Sequence, residues 1–311
     1  MASRSPPPLP EAAMEAYERA GDVVRRVLSA ALDMVDEGVS VLRICESLEA
    51  EIRRLGARPA FPVNVSINHV AAHYTSPPGD ETVVPPESIV KVDVGAHVDG
   101  YIVDAAVSVS LSPAHDALVK ASVEALREAQ RVVRAGVALG AVGCAIERKV
   151  REHGARPVEN LTGHLIERYN LHAGKVVPNV ATRGSGVMRE GEVYAVEPFA
   201  TGGRGYVAEA SRAFIFRLTR RASRRRARGL ADVIEYIRSE FDGLPFAERW
   251  LLRAYPRERA RECIARLLKR RIAEGYPVLV EVSGAPVSQF EDTLVVTRGG
   301  AVPLARTLEI L

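Results

Sequence analysis

Cysteine, lysine, side-chain amides and tryptophan are all scarce in this chain, and each scarcity narrows what it can be. The three cysteines, Cys45, Cys144 and Cys263, stand far apart without paired spacing. That pattern excludes a disulfide framework and a zinc ribbon, and it fits free thiols in a reducing compartment. No apolar run approaches the roughly 18 residues of a membrane-spanning helix. The start, Met1-Ala-Ser-Arg-Ser-Pro-Pro-Pro, has no apolar stretch of the secretory kind. Residues 1–10 are therefore expected to form a flexible tail, and the protein to act in the cytoplasm without membrane contact. Depleted Asn and Gln fit a thermophilic source, although genome base composition explains the excess of arginine over lysine equally well. Neither sign of charge dominates, with a formal net of +3. An apolar share of 47% over 311 residues allows one sizeable core plus a smaller subdomain.

Two helices are expected over 11–55. Leu28, Ala31, Leu32 and Val35 recur at helical spacing, Gly38 supplies a stop, and Ser40 can cap the next segment, which carries Leu42, Ile44, Leu48 and Ile52. The period then changes to that of strands over 89–95 and 101–110. Helical patterns return over 113–135 and 140–154, and short strands follow near 192–199 and 212–218. Residues 219–275 are helix-rich and dense in arginine, framed by strand-like segments on both sides. They read as an inserted helical subdomain, with 11–218 and 276–311 forming the main domain. The last strands are expected at 278–282 and 289–297. Strand runs mixed with helices and a tight hairpin point to an α+β fold with an antiparallel sheet.

The hairpin is the most informative segment. With Asp99-Gly100 as its two-residue turn, Val98 faces Tyr101, Gly95 faces Asp104, and Asp93 faces Ala106. Alternation then sets Asp93 and Asp104 on one face as diagonal neighbours, and Val92, Val94, Val103, Val107 and Val109 on the other. Gly95 leaves room opposite Asp104. Two converging carboxylates on an apolar hairpin repel each other unless a cation or a shared proton intervenes. Two solvated aspartates on an exposed hairpin remain the plainer alternative. His97 shares the parity of Asp93 but lies near the turn, where a structural role is expected. His69, His115 and His153 read as surface residues.

Further donors recur in distinctive settings: His164 in Thr162-Gly-His-Leu-Ile, Glu197 in Tyr194-Ala-Val-Glu-Pro, and Glu291 in Ser288-Gln-Phe-Glu-Asp-Thr. Singly, each could be a satisfied core residue. In order, Asp93, Asp104, His164, Glu197 and Glu291 resemble the ligand set of the pita-bread metallopeptidases, which include methionine aminopeptidases, aminopeptidase P and prolidase. Phe61-Pro-Val-Asn-Val-Ser-Ile-Asn-His-Val-Ala-Ala-His73, Leu171-His172, Gly275-Tyr-Pro and the insertion at 219–275 are most similar to the type II methionine aminopeptidases of archaea and eukaryotes. Asp292 departs from the histidine that many relatives carry there, which implies a tuned metal site.

The resemblance implies a pita-bread fold and two divalent ions, with Co, Mn, Fe and Zn all compatible with an oxygen-rich ligand set. It implies that Asp104 and Glu291 bridge the ions, that Asp93 serves one, and that His164 with Glu197 serves the other. Water acidified there would attack the first peptide carbonyl while Glu197 shuttles the proton. It implies substrate contacts from His73 and His172, and a methionine pocket from Phe61, Leu171 and Tyr276. The substrates would be the N-termini of nascent polypeptides with a small second residue, and the protein a monomer. Two alternatives stay open, proline-specific peptidase activity on the same fold and a non-catalytic relative that binds RNA or protein. The run Arg220-Arg-Ala-Ser-Arg-Arg-Arg-Ala-Arg228 reads first as a solvated helix face, with ribosome association through 220–228 as its functional alternative.

Overall fold

The computed structural model describes residues 9–219 and 227–311. Most of the expected tail and most of the arginine run lie outside them. The chain opens with helices α1 (Glu11–Met34) and α2 (Val41–Arg54). Between them Gly38 takes a φ of 75°, and the Ser40 hydroxyl accepts a hydrogen bond from the Arg43 amide. Strands β1 (Arg58–Pro59), β2 (Asn64–Ile67), β3 (Val70–Ala72), β4 (Ile89–Val98) and β5 (Tyr101–Ser110) follow. Helices α3 (Asp116–Val132) and α4 (Leu139–Glu152) come next. Strands β6 (Arg156–Pro157), β7 (Thr162–Ile166), β8 (Val176–Pro178), β9 (Val193–Val196), β10 (Phe199–Thr201) and β11 (Val207–Leu218) lead into the region of the insertion. That region holds α5 (Ala231–Phe241), β12 (Phe246–Ala247), α6 (Glu248–Leu251) and α7 (Arg257–Lys269). Strands β13 (Ala273–Glu281), β14 (Val287–Gln289), β15 (Asp292–Val296) and β16 (Ala301–Pro303) complete the fold.

All strand pairings among the described residues are antiparallel, in four small sheets. The β4–β5 hairpin takes the expected register, with Val98 opposite Tyr101, Gly95 opposite Asp104 and Asp93 opposite Ala106. Asp99 and Gly100 both have positive φ, at 51° and 84°, as a two-residue turn of this twist requires. Helix α1 crosses the valine face of this hairpin. The opposite face is buried as well, at Lys91, His97, Asp104 and Ser108, and β15 covers the outer edge of β5: the Thr293 hydroxyl accepts from the Asp104 amide at 2.8 Å and donates to the Asp104 carbonyl at 2.7 Å.

Two expected strands are each split in two. The 289–297 run breaks between β14 and β15 at Phe290-Glu291, and the 192–199 run breaks between β9 and β10 at Glu197-Pro198. The breaks coincide in space, since β9 pairs with β15, β10 pairs with β14, and the Phe290 amide donates to the Pro198 carbonyl. Proline cannot continue a ladder, so this two-stranded ribbon bends between sheets and leaves both glutamates at the bend. Strand β13 starts at Ala273, five residues before the expected start. Gly275 and Pro277 look like breakers, yet Gly275 sits where a Cβ would meet the Ala213 side chain, and Pro277 lies beside a register shift in β11.

The main apolar cluster joins α1 and α2 to the hairpin and to the sheet of β7, β9 and β15. The segment between β11 and β13 packs a second cluster of its own, including Phe241, Phe246, Trp250, Leu251 and Leu267. It is tied to α2 by the buried Arg249 and Glu49, whose side chains bond each other.

Candidate metal centre

Five donors meet where the hairpin, the bent ribbon and β7 converge. Asp93 and Asp104 face inward from β4 and β5. His164 enters from β7, opposite Ala195 of β9, and Glu197 and Glu291 come from the paired breaks. Donor atoms of Asp104, His164 and Glu291 lie within 4.8 Å of one another. The His164 Nε2 stands 3.4 Å from Asp104 Oδ2 and 3.7 Å from Glu197 Oε1. Two further contacts hold the carboxylates in place. The Gln289 amide donates to Glu291 Oε2 at 3.0 Å, and the Glu291 backbone N–H donates to the Ala106 carbonyl at 3.0 Å.

The electrostatics are those of a site built for positive charge. Burial pushes the carboxyl groups of Asp93, Glu197 and Glu291 well above the usual range, and the charge of Asp104 raises all three further. One oxygen each of Asp93, Asp104 and Glu291 is buried with no hydrogen-bond partner among the described residues. Leaving such groups unpaired costs about 1–3 kcal/mol apiece and more when they are charged. Lys91, two residues before Asp93, does not neutralise them: its buried Nζ donates to the Asn68 carbonyl, and burial pulls its pKa well down, favouring the neutral amine. Four acceptor-only carboxylates and one imidazole fit divalent cations, and the orphaned oxygens are the positions such cations would fill.

A cavity opens beside these donors. All ten residues singled out in the sequence line it: the five donors together with Phe61, His73, Leu171, His172 and Tyr276. The room left by Gly95 is taken by the Phe61 ring, which a Cβ at that position would strike at 2.1 Å. His73 has a left-handed φ of 65°, uncommon outside glycine. Its Nδ1 lies 3.1 Å from the Pro277 carbonyl. Only an N–H can bond a carbonyl oxygen, and burial holds the imidazole pKa below its usual value. His73 therefore carries a proton on Nδ1, and in the neutral form that burial favours its Nε2 is an acceptor. His172 sits exposed at the cavity mouth, its ring 4.4 Å from His164 and 5.9 Å from Tyr276.

Four lining residues were not read from the sequence: Asn64, Ala72, Ile215 and Pro245. The pairing of Asn64 with Asp93 depends on β2 joining β4, and Pro245 arrives from the segment between β11 and β13. Neither relation is local in sequence. Asp292 proves to belong elsewhere. Its carboxylate is fully buried and accepts from the amides of Ala305 and Thr307, both at 3.0 Å, so it secures the C-terminal segment. Its remaining influence on the site is its charge, which adds to the upward shift of Glu291. His97 has the structural place expected, its Nδ1 accepting from the Gly100 amide at 3.1 Å.

Residues 15–298 match the model of metallopeptidase family M24. A methionine aminopeptidase of Thermococcus onnurineus is 43% identical over 288 residues, covering 92% of this chain and 97% of that protein. Among solved structures, a thermophilic Arx1 aligns with a TM-score of 0.80 at 18% identity, covering 95% of this chain and 91% of the other. The methionine aminopeptidase of Thermotoga maritima aligns with a TM-score of 0.69 at 23% identity, covering 96% and 98%.

Proposed function

The chain belongs to metallopeptidase family M24, and on that premise we propose that it removes the N-terminal methionine from nascent proteins and peptides whose second residue is small. The observation that carries this reading is the 43% identity to a methionine aminopeptidase across 92% of the chain. It is supported by the placement of five buried or half-buried donors beside a cavity walled by Phe61, Leu171, Ile215 and Pro245.

Asp93, Asp104, His164, Glu197 and Glu291 would hold two divalent ions (Co, Mn, Fe or Zn). Bound there, these ions supply Lewis-acid charge that polarises a carbonyl and acidifies water. The protein's own residues do the rest. Phe61, Leu171 and Tyr276 surround a flexible thioether with apolar surface. Glu197, which burial and neighbouring charge make a good proton acceptor, takes the proton of the attacking water and passes it to the leaving amine. His73 offers Nε2 to the N–H of the scissile amide. His172, free to present an N–H, steadies the negative charge that grows on the carbonyl oxygen.

The segment 219–275 acts as a subdomain that closes the pocket through Pro245, which supports the type II assignment. No helix among the described residues is long and apolar enough to cross a membrane. A monomer working in the cytoplasm is the simplest form of this reading. Ribosome association through 220–228 is its weaker adjunct, and steep salt dependence of co-sedimentation with ribosomes would be required of it.

Parallel assays on Met-Ala-Ser and X-Pro peptides, with metal supplied, test the activity. Release of methionine from the first and no cleavage of the second is the expected result. Cleavage confined to X-Pro bonds would replace the proposal with the prolidase-like alternative.

A further inference from the structure

Among the described residues, a single amide or hydroxyl donor reaches any of the clustered carboxylates: Gln289 Nε2, 3.0 Å from Glu291 Oε2. An ionised carboxylate only accepts, so the amide must turn its N–H bonds towards it. Glu291 needs such a partner. It stands at the break between β14 and β15, outside both strands, and its backbone N–H goes to the Ala106 carbonyl. Its long side chain is 1% exposed, and the charges of Asp104, Glu197 and Asp93 all repel its own.

Gln289 is itself anchored. The Ser108 hydroxyl of β5 accepts from the Gln289 backbone N–H at 2.9 Å and donates to the Gln289 carbonyl at 2.8 Å. Ser108 Oγ also accepts from Ser288 Oγ at 3.3 Å, and Ser288 Oγ lies 2.5 Å from Ser122 Oγ of α3. Ser122, Ser288, Ser108 and Gln289 are all buried. A line of neutral polar groups thus runs from α3 through β14 and β5 to the corner where the donors meet.

We propose that Gln289 is a positioning residue for the metal ions, its N–H holding one oxygen of Glu291 so that the other is presented to them. This deepens the proposed metal centre and rests on it. Glu291 Oε1 is the oxygen left without a partner among the described residues, as that arrangement requires. The neutrality of the amide matters. A lysine or arginine in its place would also hold Glu291, but its charge would compete with the ions for the carboxylates. Glutamine fixes the direction of the carboxylate and leaves its charge to be met by cations.

The test titrates the metal-free full chain with Co²⁺ by calorimetry and records the visible spectrum of the Co²⁺-loaded protein, whose bands follow coordination geometry. Gln289→Met keeps the length of the side chain and removes the donor. Gln289→Asn keeps the amide but draws it back by one methylene. Ser122→Ala is the control, cutting the line at its far end while leaving the contact between Gln289 and Glu291 in place. Folding of each variant is checked by circular dichroism, and either Gln289 variant that folds is enough to decide. Both should bind Co²⁺ about 10- to 100-fold more weakly, with altered visible bands. Ser122→Ala should lower the melting temperature and leave affinity and bands as in the wild type. Wild-type affinity and bands in a folded Gln289 variant overturn the proposal, and so does an equal loss in Ser122→Ala, which would reduce Gln289 to packing. Binding is read without turnover, so a protein that takes up Co²⁺ but leaves Met-Ala-Ser peptide intact strikes the proposed activity and not this role. A wild type that binds no Co²⁺ overturns the role together with the metal centre.

Discussion

Two clusters of ionisable side chains are buried in this molecule, and they solve the same problem in opposite ways. In the first, Glu49 of α2 meets Arg249 of α6. Arg249 also donates to Thr75 Oγ1 at 2.8 Å and to the Ser76 carbonyl at 2.9 Å. The Trp250 indole donates to Glu49 Oε2 at 2.7 Å, and the Val63 amide to Oε1 at 3.1 Å. Opposite charges and placed donors satisfy both carboxylate oxygens from within the chain. In the second cluster four carboxylates share one corner with a single imidazole, and three of them keep an oxygen without a partner among the described residues. In the first cluster both carboxylate oxygens of Glu49 are satisfied as folded, and only Arg249 Nε lacks a partner among the described residues. The second is complete only with cations added. A buried charge that the chain satisfies holds elements together, while one left unsatisfied marks where a ligand belongs.

The sharpest way to break this contrast is to neutralise one member of each cluster. Glu197→Gln should lower kcat on Met-Ala-Ser by roughly 10²–10⁴-fold, the usual worth of a general base. The same change should raise the melting temperature of the metal-free protein, because it removes one of several repelling charges. A calorimetric fall would mean that the carboxylates are not strained without metal. Arg249→Met should do the reverse. It strands Glu49 and should cost about 3–5 kcal/mol of stability by denaturant titration, and the double variant Glu49→Gln/Arg249→Met should recover part of that loss. No recovery would show that Arg249 contributes through its packing alone.

A third prediction sharpens the comparison with a buried group kept neutral. Burial lowers the His97 pKa to about 4 in the folded state, below the unfolded value of about 6.5. The unfolded chain therefore binds the proton first as pH falls. The His97 contribution is present above about pH 6.5 and is lost as pH drops towards 4, at most about 3 kcal/mol in all. His97→Asn, able to accept from Gly100 without titrating, should flatten stability across that window. A slope equal to that of the wild type would assign the effect to other groups. The smallest expected effect belongs to Asp292→Asn, which should cost about 1–2 kcal/mol by weakening the contacts with Ala305 and Thr307. Activity should change little, and a large fall in kcat with stability kept would return Asp292 to the metal site.

Adjacent Glu291 and Asp292 show how much of the site was legible in the letters. Both stand out as charges in an apolar strand, but the sequence gives no sign that the chain bends between them. The bend arises because Pro198, on the neighbouring strand, interrupts the ladder at the same level. The hairpin was legible to the residue, since a two-residue turn and strict alternation fix every partner once Asp99-Gly100 is placed. Asn64 was not, because its partner strand lies more than twenty residues away, and no local period encodes which strands pair.

What the chain determined by itself was therefore local or ordinal: the helices with their caps, the hairpin register, and the order of the donors. Tertiary structure decided which donors share a corner, that Phe61 fills the space above Gly95, that His73 presents an acceptor, and that Asp292 turns away. These were settled by contacts between segments distant in sequence, where burial and hydrogen-bond satisfaction select one arrangement among many that the same local propensities allow.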